Sequence, residues 1–267
     1  MKLNLRMNNR KGVVTIVGSG TSQGVPVISC HCEVCQSEDP HDNRLRSSAY
    51  VLFEQGAMMI DIGPDFRMQC LEQRIDRLDG IFITHEHIDH VNGLDDVRPF
   101  NYFQDQVMPI YGEERVLKEV KRRNKYIFEP IGYAGLPLIE LKEVKPQVVV
   151  DFNGLDVMPL RVMHGELPIL GYGFGDFAYI TDAKYMDNET VAALRDKETI
   201  VLNALHHRQH HTHFNLEEAL DFIAENKLKK VYLTHISHQM GLYAKVNPTL
   251  PPGVFLAYDG LKIAFTY

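Results

Sequence analysis

The sequence predicts an α/β fold of four layers, two β-sheets packed face to face between outer layers of helices (an αββα sandwich). Three observations predict it. Short apolar, β-branched runs recur along the whole chain, and helical patterns fall between them. The order divides into two halves, each running strands and then helices. The 267 residues can bury a sizeable core unaided. With no low-complexity linker, charge run or tandem repeat to split it, the chain reads as one domain over residues 1–267.

The strand-like runs are residues 13–17, 49–53, 57–60, 80–83, 148–150, 155–162, 178–180, 199–202, 231–233 and 254–256. Residues 262–267 can form a closing strand. Helical patterns cover 64–78, 113–122, 188–195 and 216–226. The last follows Asn215, whose side chain can cap a helix, and Glu217 and Glu218 suit the positive end of its dipole. Residues 98–146 are less regular and richer in aromatics and proline. They read as an insertion beside the site.

Composition excludes some functions. A net charge of −7 with scattered basic residues argues against a general nucleic-acid-binding surface. Residues 1–6 (Met-Lys-Leu-Asn-Leu-Arg) carry no apolar targeting core, and no run is long enough to span a membrane. A cytoplasmic protein is expected, and a homodimer is compatible with this reading. Of four cysteines, three crowd into six residues at Cys30, Cys32 and Cys35, which in a reducing compartment suits a metal better than disulfides. Cys70 reads as a small buried hydrophobe.

The chemistry concentrates in Thr84-His85-Glu86-His87-Ile88-Asp89-His90, which follows the apolar run Gly80-Ile81-Phe82-Ile83. His85 and His87 can converge on one ion from a tight turn, and Asp89 and His90 can reach a second. Zinc-type sites hold imidazole nitrogen and carboxylate oxygen at about 2.0–2.2 Å. Two ions about 3.5–4 Å apart form a hydrolytic pair. A polar histidine loop or a lone mononuclear site is the plainer alternative. Against it stand His164, Asp182 and His235, each at or just beyond the end of a predicted strand, where a site on one sheet edge needs them.

This set and order resemble the metallo-β-lactamase superfamily of hydrolases, and the HxHxDH motif is the strongest part of the likeness. The resemblance implies the αββα fold of that family. It implies one metal on His85, His87 and His164, a second on Asp89, His90 and His235, and Asp182 between them. Asp61, in Met59-Ile60-Asp61-Ile62-Gly63, matches the family's first motif. It reads either as a group shaping the metal loop or as a turn-forming acid before Gly63.

Gly18-Ser19-Gly20-Thr21-Ser22-Gln23-Gly24 follows a strand but has neither GxGxxG spacing nor a following helix, which argues against dinucleotide binding. Its glycines still allow close backbone approach to a pocket. Three cysteines need a fourth ligand to complete a structural zinc site. His31 is badly placed, and His238, three residues after His235, is the better candidate. Together with His164-Gly165 and Gly171-Tyr172, these features resemble the branch holding the cyclic-phosphate phosphodiesterase of the carbon–phosphorus lyase pathway. The branch implies a zinc on Cys30, Cys32, Cys35 and His238 that pins the glycine loop to the loop bearing His235.

His206, His207, His210, His211 and His213 precede the last helix. Most suit a solvated loop, and His206, His207 and His211 can contact substrate phosphate. His213, in His213-Phe214-Asn215-Leu216, matches the branch's general acid, and an imidazole near pKa 6.5 can protonate a leaving alkoxide. The expected activity is hydrolysis of a small, cyclic or linear phosphodiester. It uses two divalent ions (zinc or manganese), with Asp89 and His213 as catalytic groups. A tRNA 3′-processing endonuclease is the enzyme alternative, but the sequence lacks that family's basic, glycine-rich arm. Residues 118–125 (Lys-Glu-Val-Lys-Arg-Arg-Asn-Lys) form a local basic patch that helical spacing reads as a solvated face. A metal-loaded accessory protein is the non-enzyme alternative, and degenerate ligands, absent here, would signal it.

Overall fold

The computed structural model describes residues 10–129, 132 and 135–267. Residues 1–6, read above for targeting, lie outside this range. In chain order the strands and helices are β1 (Lys11–Gly18), β2 (Ser48–Phe53), β3 (Gly56–Ile60), α1 (Phe66–Glu72), β4 (Gly80–Phe82), α2 (Ile88–Val91), α3 (Arg98–Gln104), β5 (Met108–Gly112), α4 (Glu114–Arg123), α5 (Lys125–Phe128) and β6 (Ile139–Glu143). There follow β7 (Val150–Phe152), β8 (Leu155–His164), β9 (Leu167–Phe174), β10 (Phe177–Tyr179), β11 (Tyr185–Met186), α6 (Asn188–Arg195), β12 (Thr199–Asn203), α7 (Leu216–Asn226), β13 (Val231–Thr234), α8 (Tyr243–Val246), β14 (Val254–Leu256) and β15 (Leu261–Thr266).

Among the described residues the strands form two mixed sheets. One runs β15-β1-β2-β3-β4-β5-β6. The other runs β11-β8-β9-β10-β12-β13-β14, with β7 paired to β8. Val14, Ile16, Met58 and Phe82 of the first sheet meet Leu170, Tyr172, Phe174 and Val201 of the second in a shared core. The opposite face of the first sheet packs against Phe66, Phe100, Val116 and Val120 of its helices. That of the second packs against Leu194, Leu216, Ala219 and Ile223. These are the four layers the sequence predicts. The last helix starts as expected: Asn215 Oδ1 accepts from the Glu218 amide at 2.8 Å, and Glu218 Oε2 accepts from the Asn215 amide at 3.0 Å.

The stretch 98–146 departs from expectation. It holds α3, α4 and α5, and its β5 and β6 extend the first sheet in parallel. Its strand signals are masked because β5 contains Pro109 and because β6, with Glu140, Lys142 and Glu143, is a charged sheet edge. No helix among the described residues is long and apolar enough to cross a membrane.

Candidate metal centre

Strands β3, β4, β8, β10 and β13 all end at one edge of the two sheets, which brings together residues as far apart as His85 and His235. His85 and His87 follow β4, with Nε2 of the first 3.0 Å from Nδ1 of the second. His164, the last residue of β8, completes a group of three whose ligand atoms lie within 4.8 Å of one another. A second such group is His85, His90 and Asp182. Asp89 Oδ2 lies 3.1 Å from His90 Nε2, and Asp182 Oδ2 lies 3.4 Å from His90 Nε2 and 3.3 Å from His235 Nδ1. All seven residues expected to bind metal therefore sit around one point. A third group, His164, Asp182 and His213, also gathers within 4.8 Å.

The backbone aims these groups. Asp61, Asp182 and His235 adopt φ of 62°, 55° and 55°, a left-handed conformation that costs a non-glycine residue energy and recurs where structure fixes a functional side chain. Gly63 lies so close to the Asp89 carbonyl that a Cβ would approach it to 2.0 Å. A layer of polar side chains then orients the imidazoles. Buried Asp61 accepts from the Thr84 amide and hydroxyl at 2.8 Å each, and its Oδ2 lies 2.6 Å from His90 Nδ1. His164 Nδ1 faces the carbonyls of Asp182 (3.0 Å) and Thr212 (2.9 Å), leaving Nε2 for the site. His235 has the Thr21 hydroxyl 3.2 Å from Nε2 and the Ser47 hydroxyl 3.1 Å from Nδ1. The Thr181 hydroxyl donates to Asp182 Oδ2 at 2.6 Å. Thr21, Ser47 and Thr181 carry no ligand chemistry that marks them in the sequence. The Thr-His and Thr-Asp pairs at strand ends were the signal available for the last.

The electrostatics fit a cation. Burial works to raise the Asp182 carboxyl, yet His235, His90 and His213 outweigh it and hold it well below the usual range. Burial works to strip His90 of its proton, and Asp61, Asp89 and Asp182 hold it well above the histidine range. His85 is pushed well down, chiefly by burial. Two buried nitrogens, His90 Nε2 and His213 Nδ1, have no hydrogen-bond partner among the described residues. Three acids around one imidazole, with orphaned nitrogens facing them, suit divalent ions with nitrogen and oxygen ligands.

The cysteine cluster lies apart from this point. His238 Nδ1 is 3.3, 3.4 and 3.5 Å from the sulfurs of Cys30, Cys32 and Cys35, and the four ligand atoms all fall within 4.8 Å of one another. The Cys35 amide is the largest influence lowering the Cys32 thiol, which reaches about 6, while burial pushes Cys35 up to about 11. His31 is exposed and takes no part. The glycine loop between the two sites is pinned by the half-buried Asp259, which accepts from the Ser19 amide (2.8 Å), the Ser19 hydroxyl (2.7 Å) and the Leu45 amide (2.6 Å).

The remaining histidines divide. His213 is buried, its ring stacked 4.9 Å from that of His235, and its Nδ1 lies 3.6 Å from Asp182 Oδ1. Burial pushes it down to about 2, with Asp182 opposing. His206 lines a small cavity of about 160 Å³ with Thr21, Ser22 and Gln23. His207 places Nε2 2.9 Å from the Met240 carbonyl, and His211 is exposed.

A family model described as the beta-lactamase superfamily domain matches residues 57–236. A diphosphatase from the PhnP family, known from its crystal structure, is 39% identical with a TM-score of 0.89, over 96% of this chain and 97% of that one. Zinc-bound PqqB from Methylobacterium extorquens shares the fold, with a TM-score of 0.76 at 17% identity over 94% and 99% of the two chains. An octanoyltransferase of Porphyromonas gingivalis is 42% identical over 249 residues, 92% of this chain and 50% of that protein. A ribonuclease Z of Methanococcus maripaludis is 25% identical over 139 residues, 51% and 44% of the two. The chain thus spans about half the length of these curated relatives. Fold and family match define a protein of the metallo-β-lactamase superfamily. Within it, the chain belongs to the PhnP family.

Proposed function

We propose that this chain is a metal-dependent phosphodiesterase acting on a small, cyclic or linear phosphodiester. The observation that carries the reading is the strand-end cluster of His85, His87, Asp89, His90, His164, Asp182 and His235 with a further histidine, His213, stacked beside it. The PhnP-family diphosphatase, similar over nearly its whole length, supports phosphorus chemistry. The seven residues hold two divalent ions, zinc or manganese, and Cys30, Cys32, Cys35 and His238 hold a structural zinc. When bound, the two ions supply a water acidified toward neutral pH and positive charge for the phosphoryl oxygens.

The chain's own residues then have separable tasks. Asp89, held ionised beside His90, orients the attacking water and accepts its proton. Asp61 fixes His90 through Nδ1 and so keeps Nε2 directed into the site. His213 is the general acid. Burial works against its proton and the neighbouring Asp182 works to keep it. His213 then delivers that proton to the leaving oxygen. His206 faces the cavity beside Thr21, and we assign it, with exposed His211, to substrate contact. His207, committed to the Met240 carbonyl, holds the loop. The reading places the protein in the cytoplasm, where its thiols stay reduced, as one catalytic unit over 1–267. The local likeness to ribonuclease Z supports an endonuclease less well, since it covers only half of either chain.

General-acid catalysis contributes about 10²–10⁴-fold, and only where the leaving group needs the proton. His213→Ala is therefore expected to cut kcat for an alkyl phosphodiester by roughly that factor, and for bis(p-nitrophenyl) phosphate far less. Equal losses on both substrates would remove His213 from the acid role.

A further inference from the structure

On the helical side of the first sheet, α1 and α3 flank a groove of about 560 Å³ that none of the candidate metal ligands lines. Phe66, Cys70 and Phe100 line it together with Leu71, Ile75 and Phe103. It shares Ile75 and Asp76 with a neighbouring hollow of about 350 Å³, and Asp96, Pro99 and Phe103 with another of about 370 Å³. The concavity therefore runs on across the surface instead of closing round a small molecule.

The same face carries projections. Tyr102 and Phe103 of α3 are 81% and 82% exposed, with ring centroids 5.1 Å apart, and Met68 and Leu71 of α1 are 48% and 57% exposed. Apolar side chains scattered singly over a surface are ordinary. Gathered on two neighbouring short helices, with aromatics among them, they have the composition of the middle of a protein interface. The charges at the groove are also left over. Nearby Arg77 and Arg98 are paired with Asp79 and Asp95. Arg67, Asp76 and Asp96 all line the groove, and none of the three forms an ion pair among the described residues.

We propose that this face is a two-fold interface between two copies of this chain. Isologous pairing presents one patch to itself, so the patch must hold both a projection and a hollow, and charges of both signs. This patch holds all of them. Phe103 of each copy seats in the groove between α1 and α3 of its partner, and Arg67 of each copy meets Asp76 or Asp96 of the other. A different protein would need only one half of that match. The interface stands apart from the phosphodiesterase reading, because the face includes none of the residues assigned to the reaction.

Sedimentation velocity on the full chain tests it. The wild type is expected to be a dimer at micromolar concentration. Phe103→Asp, at an exposed position, should weaken self-association by about tenfold or more, as loss of a central aromatic anchor does. Arg67→Glu should weaken it too, and reversing all three signs in Arg67→Glu/Asp76→Arg/Asp96→Arg should recover it. A monomeric wild type overturns the interface and leaves the face to a different protein. A dimer that Phe103→Asp leaves intact overturns it as well, since the copies then meet elsewhere. Hydrogen exchange on the wild type gives a reading without any substitution. Residues 66–76 and 98–107 should lose protection as the protein is diluted through dissociation, and loss confined to other segments contradicts the proposal.

Discussion

Asp61 carries both meanings that its sequence context allowed. It sits in a left-handed turn before Gly63, and its carboxylate grips Thr84 and His90. Burial raises this carboxyl, while His90 and Thr84 work to keep it ionised, so its charge depends on the site it supports. Asp61→Asn preserves the shape and removes that charge. The expected result is a folded protein whose metal affinity, measured against a chromophoric chelator, falls about 10–100-fold. Unchanged affinity would make Asp61 a turn residue alone. At this scale the candidate ligands were legible because imidazoles and acids at strand ends have few other uses. The hydroxyls of Thr21 and Ser47 on His235 were not, because nothing local in a serine or threonine shows which distant ring it will meet.

Two elements differ from their sequence reading for local reasons. The helical pattern over 64–78 yields only α1, because Arg74 turns left-handed at φ 52° and ends the run. Strand β9 was hidden by Pro168, Gly171 and Gly173. At Gly171 a Cβ would meet the tip of the Ile180 side chain at 2.3 Å and the Tyr179 carbonyl at 3.0 Å. The glycine loop gives the element-scale predictions. Burial pushes Asp259, beneath that loop, up to about 7. Between about pH 4 and 7 the native carboxyl thus keeps a proton that the unfolded chain has released, so its contribution to stability falls as pH rises through that window. The difference in Tm between wild type and Asp259→Asn should therefore shrink or reverse from pH 4 to pH 7. A pH-independent difference would contradict this. At the loop's other end, His238→Ala should lose one metal per chain and lower turnover by about tenfold or more, since the cluster holds the segment leading from His235. Full metal content in that variant would exclude His238 as a ligand.

On the scale of the whole molecule, what the sequence could not show was which strands share an edge. The chain's last strand, β15, returns to pair with β1, so the first sheet is not simply the first half of the chain. The site forms where both sheets end, and Tyr172 of the second sheet donates to the Ile83 carbonyl of the first at 2.6 Å, joining them beneath the metal motif. Hydrophobic period predicts layers. Register and edge order arise from packing that no single segment encodes. On the proposed function this edge holds two exchangeable ions for diester hydrolysis, and the cysteine cluster holds a third, separate one. Elemental analysis of the purified protein, paired with hydrolysis of bis(p-nitrophenyl) phosphate before chelation, after it and after metal return, tests it most directly. About three metals per chain are expected, one resisting the chelator, with activity lost and restored alongside the other two. One metal or none, with no hydrolysis under any added divalent ion, would contradict it.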